Sequence, residues 1–474
     1  MRSVVIAGKQ LPLVQTVKKV KMTLIKSISG IRGTLENIPG ESLSDYDINQ
    51  FTLAYHQEII SRYDNQVVVL GRDARKSGIR ISEIVSEILI NEGCDVIDVG
   101  LVTTPTLGIC TKKMKASGGI MISASHNDEK WNALKLLNNN GEFLSPDNVA
   151  LIIKDVERTP NPSSKGKITQ YHRALEDHID LVLSQKEVSK EKISSKSFSV
   201  AVDGINSVGG VAIPEFLNTL GIKKIKKINC IPDGAFAHNP EPLPENLTEI
   251  CSVIKKGNFD LGIVVDPDAD RLCLIDENGE PFGEEYTLVA AAEHIISKIN
   301  KPVACSNMSS SLALKKITEL YNGEYFSSSV GEINVVEKMK QKKADIGGEG
   351  NGGVIFPSTH YGRDSLIGIG LILTLLSERD ISLSELKKSL PTYYIHKTKT
   401  TFDQSLDKVV SYFSNEYSNF DIDLRDGIRI DFLNSWTHIR KSNTEPVVRI
   451  ISEASTSEKA SELSNKIISK LQVL

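Results

Sequence analysis

The chain has 474 residues, 40% hydrophobic and 24% charged, with a formal net charge of −4. That length exceeds what one hydrophobic core supports and implies roughly three or four domains of about 100–150 residues, while the lack of a basic block argues against nucleic acid as a partner. No apolar run reaches the roughly 18 residues of a membrane span, and six scattered cysteines without a CxxC pair speak against a disulfide framework or zinc site and fit a reducing cytoplasm.

Residues 1–21 read poorly as a signal peptide, because Lys9 and Gln10 interrupt the apolar stretch and no small-residue cleavage site follows. They are assigned to a disordered N-terminal extension, and TLIKSISGIRGT after Met22 reads as the first strand and loop. Val67 to Leu70 is an apolar strand ending in Gly71, Arg72 and Asp73. Ile81, Ile84, Val85, Ile88 and Leu89 then fall at helical spacing, Gly93 stops the helix, and Val96 to Val99 starts a new strand. This is a βαβ unit. The strand-then-glycine pattern returns at Phe198 to Gly210 and at Ala344 to Gly353, which predicts three similar α/β modules. Thr159 to Lys167 has a linker's composition, with further breaks near Asn278 to Gly283 and Ser382 to Pro391. The tail is rich in strand residues, closes on the amphipathic helix Ser457 to Leu471, and reads as a different, α+β module. The expected units are 1–21, 22–165, 166–280, 281–385 and 386–474.

Two loops carry the chemistry. MISASHNDEK, Met121 to Lys130, sets the small residues Ser123, Ala124 and Ser125 before His126 and Asn127, directly after a strand. The strand Leu261 to Val265 runs into Asp266, Pro267, Asp268, Ala269, Asp270 and Arg271. A lone DxD is more often a solvated turn, but three carboxylates at alternate positions of an extended segment project to one side and suit a hard cation such as Mg²⁺. Arg271 is out of place beside a cation unless an anion also sits there, and phosphate satisfies both. Ser125 could be an ordinary turn serine. No GxSxG elbow supports acyl chemistry, and a serine carrying phosphate beside Mg²⁺ fits the neighbours better. Gly347 to Gly353 sets Glu349 and Asn351 between glycines, a carboxylate and an amide suited to a hydroxyl-rich ligand. Arg440, Lys441, Ser442, Asn443, Thr444, Glu445 and Pro446, with Arg449 beyond, combine guanidinium forks and hydroxyls as anion capture requires; the plainer reading is a charged hairpin tip.

These loops together resemble the α-D-phosphohexomutases, the family of phosphoglucomutase, phosphomannomutase and phosphoglucosamine mutase. SASHN with Asn132 and Lys135 following, DPDADR, GEGNG and RKSNTEP occur in the family's order, and the likeness covers Met22 to Leu474. The resemblance implies three similar α/β domains and a C-terminal α+β, TBP-like domain, heart-shaped around a central cleft. It implies that Ser125 is a phosphoserine, that Asp266, Asp268, Asp270 and a phosphoserine oxygen hold Mg²⁺, and that a hexose 1,6-bisphosphate is both intermediate and activator. Arg32, Lys135, His126 and Arg271 are then the catalytic candidates. Lys135, a poor base at its ordinary pKa, is expected to need cationic neighbours such as Arg32 to lower it. Glu349 and Asn351 would hold sugar hydroxyls, and Arg440, Ser442, Asn443, Thr444 and Arg449 the nonreacting phosphate. Asp128, Ala133 and Gly353 depart from the pattern of many members, which have Pro, Gly and His there, so a histidine from the sugar loop is missing.

The GEGNGG form and Pro232 to Leu247 resemble phosphoglucosamine mutases of archaeal type, which makes glucosamine 6-phosphate to glucosamine 1-phosphate the expected reaction. Mannose or glucose phosphate is the alternative. A sugar phosphatase would leave the second phosphate site unexplained, and a noncatalytic sugar-phosphate binder would be expected to lose Ser125 or an aspartate. The expected partner is a small sugar phosphate, with no nucleic acid or membrane, for a cytoplasmic monomer or homodimer.

Overall fold

The computed structural model describes residues 22–154, 157–161, 165–402, 405–441, 447–472 and 474, arranged in four successive sheets. The predicted extension 1–21 lies outside them. In the first sheet Val67–Arg72 lies between Asp95–Leu101 and Gly118–Ile122, all parallel. Trp131–Leu137 then returns antiparallel beside Gly118–Ile122. Val68, Val69 and Leu70 are buried, as a strand covered by helices on both faces requires, and helix Gly78–Asn91 lays Ile81, Val85 and Leu89 on it.

The second and third sheets repeat this order. Leu272–Ile275, Leu261–Val265, Ser199–Asp203 and Lys224–Ile228 form one; Gly353–Ile355, Ile346–Glu349, Val303–Asn307 and Glu324–Ser328 form the other. In each, the antiparallel hairpin follows the same strand: 118–122 with 131–137, 261–265 with 272–275, 346–349 with 353–355. The predicted triplication is present, but its register needs correcting. Ala344 to Gly353 is equivalent to the strand before the serine loop, whereas the third-domain counterpart of Val67 and Phe198 is Val303. Glycine marks both ends of these modules, so a glycine match alone does not fix equivalence.

The first sheet also runs past the expected boundary at residue 165. Ile168–Gln170 pairs in parallel with Val96 to Asp98 and becomes the edge strand of the sheet, satisfying backbone groups of Asp95–Leu101.

The fourth sheet is wholly antiparallel, in the order Tyr394–Thr401, Val447–Ala454, Trp436–Lys441, Ile428–Asp431, Asp421–Asp423. Helices Leu406–Glu416 and Ser457–Leu471 bury Val409, Phe413, Ile467 and Leu471 with Ile428, Ile439 and Ile450. No helix among the described residues is long and apolar enough to cross a membrane.

The second and third domains share one core, which runs from Ile179 and Phe216 through Val289 to Leu371. Its axis is helix Ser365–Arg379, buried continuously from Ser365 to Leu376, as expected of a helix apolar on every side. Asp364 caps that helix, accepting from Leu366 N at 2.8 Å, and its other oxygen accepts from His178 Nε2 at 2.9 Å. His178 Nδ1 meets Thr106 Oγ1 of the first domain at 2.9 Å, so one buried carboxylate links three domains. Burial alone would raise the Asp364 pKa, but the charges and hydrogen bonds of His178 and His360 outweigh it and hold the carboxyl well below its ordinary value.

Asp364→Ala is expected to lower unfolding free energy by about 3–5 kcal/mol, because it removes a cap and breaks a buried pair. A carboxyl with a lowered native pKa contributes its full stability above the unfolded value of about 3.9 and loses it as pH falls below that. Urea titrations of both proteins should therefore differ most at pH 7, and the gap should begin to narrow as pH falls below about 4.

Candidate active site

Each equivalent hairpin delivers one predicted loop to the same cleft. In the first, Ser125 follows Gly118–Ile122, is 4% exposed, and takes a left-handed φ of +50°. Non-glycine residues seldom adopt that conformation unless their surroundings impose it. Here Arg75, 1% exposed, imposes it: its guanidinium donates to Ser125 O, to Asn127 O at 2.7 Å, and to Asp128 O. Asp73 holds Arg75 Nε at 3.0 Å and also accepts from Ser123 Oγ at 2.6 Å, and Ser123 Oγ in turn accepts from Ser125 N at 3.0 Å. The Asp128 carboxylate, at a position where many relatives are expected to carry proline, accepts from Lys130 N at 2.9 Å and closes the turn.

The aspartate loop is a turn, not the extended segment that the alternation suggested. Ala269 N donates to Asp266 O at 2.9 Å and Ala269 takes φ +53°, so the chain coils and brings the carboxylates together. Ligand oxygens of Asp266, Asp268 and Asp270 lie within 4.8 Å of one another, all buried. Asp268 Oδ1 and Asp270 Oδ1 have no hydrogen-bond partner among the described residues. Oxygen-only donors with unused lone pairs fit a hard divalent cation. Burial, then Asp270 and Asp268, push the Asp266 carboxyl well above its ordinary value. Ser125 Oγ donates to Asp266 Oδ2 at 2.7 Å across the domain boundary.

Lys135, 2% exposed, donates from Nζ to Asp268 and lies 3.5 Å from Asp270. Burial opposes its charge, but Asp268 and Asp270 prevail and raise its pKa. The expectation of a lysine lowered by Arg32 is therefore corrected: the partners of Lys135 are carboxylates, and Arg32 instead donates to Asn127 Oδ1 at 3.2 Å and to Ser29 Oγ at 3.2 Å. His126 is driven well below its ordinary pKa, first by Arg271 and then by burial, so its ring is neutral at physiological pH. Arg271 donates its backbone N to Asp266 Oδ1 at 3.2 Å and Nη1 to Glu241 Oε1 at 3.3 Å, and its Nε has no partner among the described residues.

A cleft of about 520 Å³ is lined by Arg32, Ser125, His126, Lys135, Arg271, Glu349, Asn351, Arg440 and Arg449, with contributions from all four domains. Glu349 accepts from Asn307 Nδ2 at 2.9 Å and Gly331 N at 3.2 Å. Arg440 and Arg449 are cross-strand partners on the last hairpin, Arg440 also 3.2 Å from Asp426 Oδ2. Ser442, Asn443 and Thr444 lie outside the described residues.

The four segments match, in order, the phosphoglucomutase/phosphomannomutase domain I (residues 25–162), domain II (176–279), domain III (283–394) and C-terminal domain (399–470). The chain belongs to the phosphoglucomutase/phosphomannomutase family. It is similar to the phosphoglucomutase/phosphomannomutase of Thermococcus kodakarensis, 33% identical over 84% of this chain and 88% of that one. It is also similar to the phosphoglucosamine mutase of Methanococcus vannielii, 31% identical over 85% and 91%. A phosphoglucomutase/phosphomannomutase family protein from Burkholderia thailandensis has the same fold, with a TM-score of 0.82 at 21% identity over 95% and 98% of the two chains.

Several residues at the site were not singled out in the sequence. Arg75 sits in GRDAR at the end of the first parallel strand, where an arginine two residues after an aspartate was the available signal. Glu241 and Arg363 carry no motif that separates them from surface charges; their partners become apparent only when the domains are assembled. Replacing Arg75 by alanine leaves Asp73 buried and unpaired, so a loss of about 3–5 kcal/mol in urea unfolding is expected. Hydrogen exchange should accelerate selectively at the 123–128 amides.

Proposed function

We propose that the protein is a phosphohexomutase that moves a phosphoryl group between O6 and O1 of a hexose phosphate through phosphorylated Ser125, with glucosamine phosphate as its sugar. The observation that carries this is the 2.7 Å approach of Ser125 Oγ to Asp266 at a cleft also lined by Arg440 and Arg449 of the C-terminal domain. The first domain presents a hydroxyl beside a candidate cation site, and the C-terminal domain presents guanidinium groups that fit a second phosphate.

In the first half-reaction the bond between phosphorus and Ser125 Oγ breaks while phosphorus joins a sugar hydroxyl oxygen, whose proton ends on Ser125 Oγ. The resulting 1,6-bisphosphate turns over in the cleft, and the reverse exchange at its other end restores the phosphoserine. Asp266, Asp268, Asp270 and a phosphoserine oxygen would hold Mg²⁺, which would neutralise charge on the transferring group. Lys135 stays a cation beside Asp268 and Asp270, and Arg271 lines the same cleft. Arg32 and Lys135 remain the candidates for assisting proton transfer. Glu349 and Asn351 would orient the sugar hydroxyls, while Arg440 and Arg449, with Ser442, Asn443 and Thr444, would hold the nonreacting phosphate.

The amino-sugar assignment is supported by the GEGNGG loop and by the name of the Methanococcus vannielii relative. The Thermococcus kodakarensis relative supports the second reading, a mannose or glucose phosphate.

Phosphorus NMR with Mg²⁺ and a trace of hexose 1,6-bisphosphate should show interconversion fastest with glucosamine 6-phosphate, compared with glucose 1-phosphate and mannose 1-phosphate. Ser125→Ala should abolish turnover without changing the melting temperature greatly, and EDTA should do so reversibly. Release of inorganic phosphate without isomerisation would reject the mutase reading.

A further inference from the structure

Arg363 belongs to none of the four motif loops, yet it touches two of them. The residue is 8% exposed and lines the cleft. Its Nη2 donates to Asp270 Oδ2 at 2.8 Å, its Nη1 lies 3.1 Å from Glu349 Oε2, and its Nε donates to Glu332 Oε2 at 2.8 Å. Its backbone N donates to Glu332 Oε1 at 3.3 Å. One planar fork thus spans the aspartate loop of the second domain, the Glu349 loop of the third, and the start of helix Glu332–Lys342. Lysine offers a single ammonium and cannot reproduce such a fork.

The backbone fixes where this fork sits. Asp364 N donates to Val354 O at 2.8 Å, and the Asp364 side chain caps helix Ser365–Arg379, so the residue directly after Arg363 is pinned twice to the rigid core. Gly353 then supplies the room. A Cβ built there would lie 2.2 Å from Arg363 Cδ and 2.7 Å from Cγ, contacts no real side chain makes. Because the guanidinium is held by three carboxylates, the stem cannot swing away cheaply. The glycine that breaks the expected sugar-loop pattern is therefore the glycine over which Arg363 passes.

Glu349 has other donors in Asn307, Gly331 and Asn351, all within the third domain. Arg363 adds what they cannot, a direct tie from Glu349 to Asp270. Resting on the mutase reading above, we propose that Arg363 is a positioning residue that sets the Glu349 carboxylate, and so the sugar it holds, at a fixed distance from the phosphoryl-transfer loop. Its effect on sugar binding passes through Glu349.

The test is a double-mutant cycle read by calorimetry, with glucosamine 6-phosphate titrated into full-length protein that carries Ser125→Ala to prevent turnover. In that parent, Arg363→Ala should weaken binding roughly tenfold, whereas adding it to Glu349→Gln should cost less than about twofold. Arg363→Lys should fall on the side of Arg363→Ala and serves in its place should the alanine variant fail to fold. Equal losses in both backgrounds would overturn the proposal while leaving the mutase reading standing. Failure of the parent to bind glucosamine, glucose or mannose phosphate would overturn the mutase reading and this proposal with it. A second cycle reads geometry without any ligand: Gly353→Ala should lower the melting temperature in the presence of Arg363 and by much less beside Arg363→Ala. An equal drop in both backgrounds would show that the two residues do not share the space, and would also overturn the proposal.

Discussion

The burial of five carboxylates at one junction organises this molecule. Asp266, Asp268 and Asp270 of the second domain meet Glu332 and Glu349 of the third with little exposure to water. Burying even one unpaired charge costs several kcal/mol, and removing one partner of a buried pair leaves that cost uncompensated. The cations that answer them come from elsewhere in the chain. Lys135 reaches in from the first domain, and Arg363 from the segment that starts the central helix of the shared core. The domains must meet at this point for the charge to be tolerable, so the electrostatics of the cleft and the assembly of its walls are one constraint.

Repetition of a single hairpin makes that meeting possible. In each α/β domain the strand beside the first parallel strand turns straight back as an antiparallel neighbour, and the turn lies beyond the strand's carboxyl end. Open α/β sheets characteristically bind ligands at that end. Three copies aimed at a common centre bring the serine, the aspartates and Glu349 together, although they are separated by more than a hundred residues from first to last. The turns are tight enough to need positive φ at Ser125 and Ala269, strain that the pinned network around Arg75 and the carboxylates can hold.

The parts of this arrangement legible in the sequence are those with local causes. A strand followed by alternating aspartates, or a helix with apolar residues at regular spacing, declares itself within ten residues; Leu261–Val265 and Ser457–Leu471 fold with the bounds their patterns suggest. Ser125, Glu349 and Arg440, each picked out within its own short motif, line one cleft, and Asp266 accepts from Ser125 Oγ at 2.7 Å. Long-range pairings were not legible. Nothing near Arg75 announces that its guanidinium will bind three carbonyls fifty residues away, and nothing near Arg363 marks Asp270 as its partner. The charge environment of Lys135 is hidden for the same reason. Its basicity depends on which charges are within reach, and the sequence suggested Arg32 where the fold supplies Asp268 and Asp270.

The fourth domain follows a different rule. Its core of Val409, Phe413, Ile439, Ile450 and Ile467 is closed within itself, whereas the second and third domains share one continuous core. What joins it to the third domain is largely polar. Ser309 bonds His438 Nδ1 at 2.7 Å, Leu312 N donates to Glu453 Oε2 at 2.8 Å, and Lys397 lies 3.1 Å from Glu284 and 3.4 Å from Glu285. Burial lowers His438 to about 4 and pushes Glu285 up to about 8, so these contacts cost desolvation that an apolar seam would not. Polar interfaces of this kind are the ones across which domains move relative to each other. The domain carrying Arg440 and Arg449 is thus attached through buried polar contacts, whereas the second and third domains are joined by a continuous apolar core.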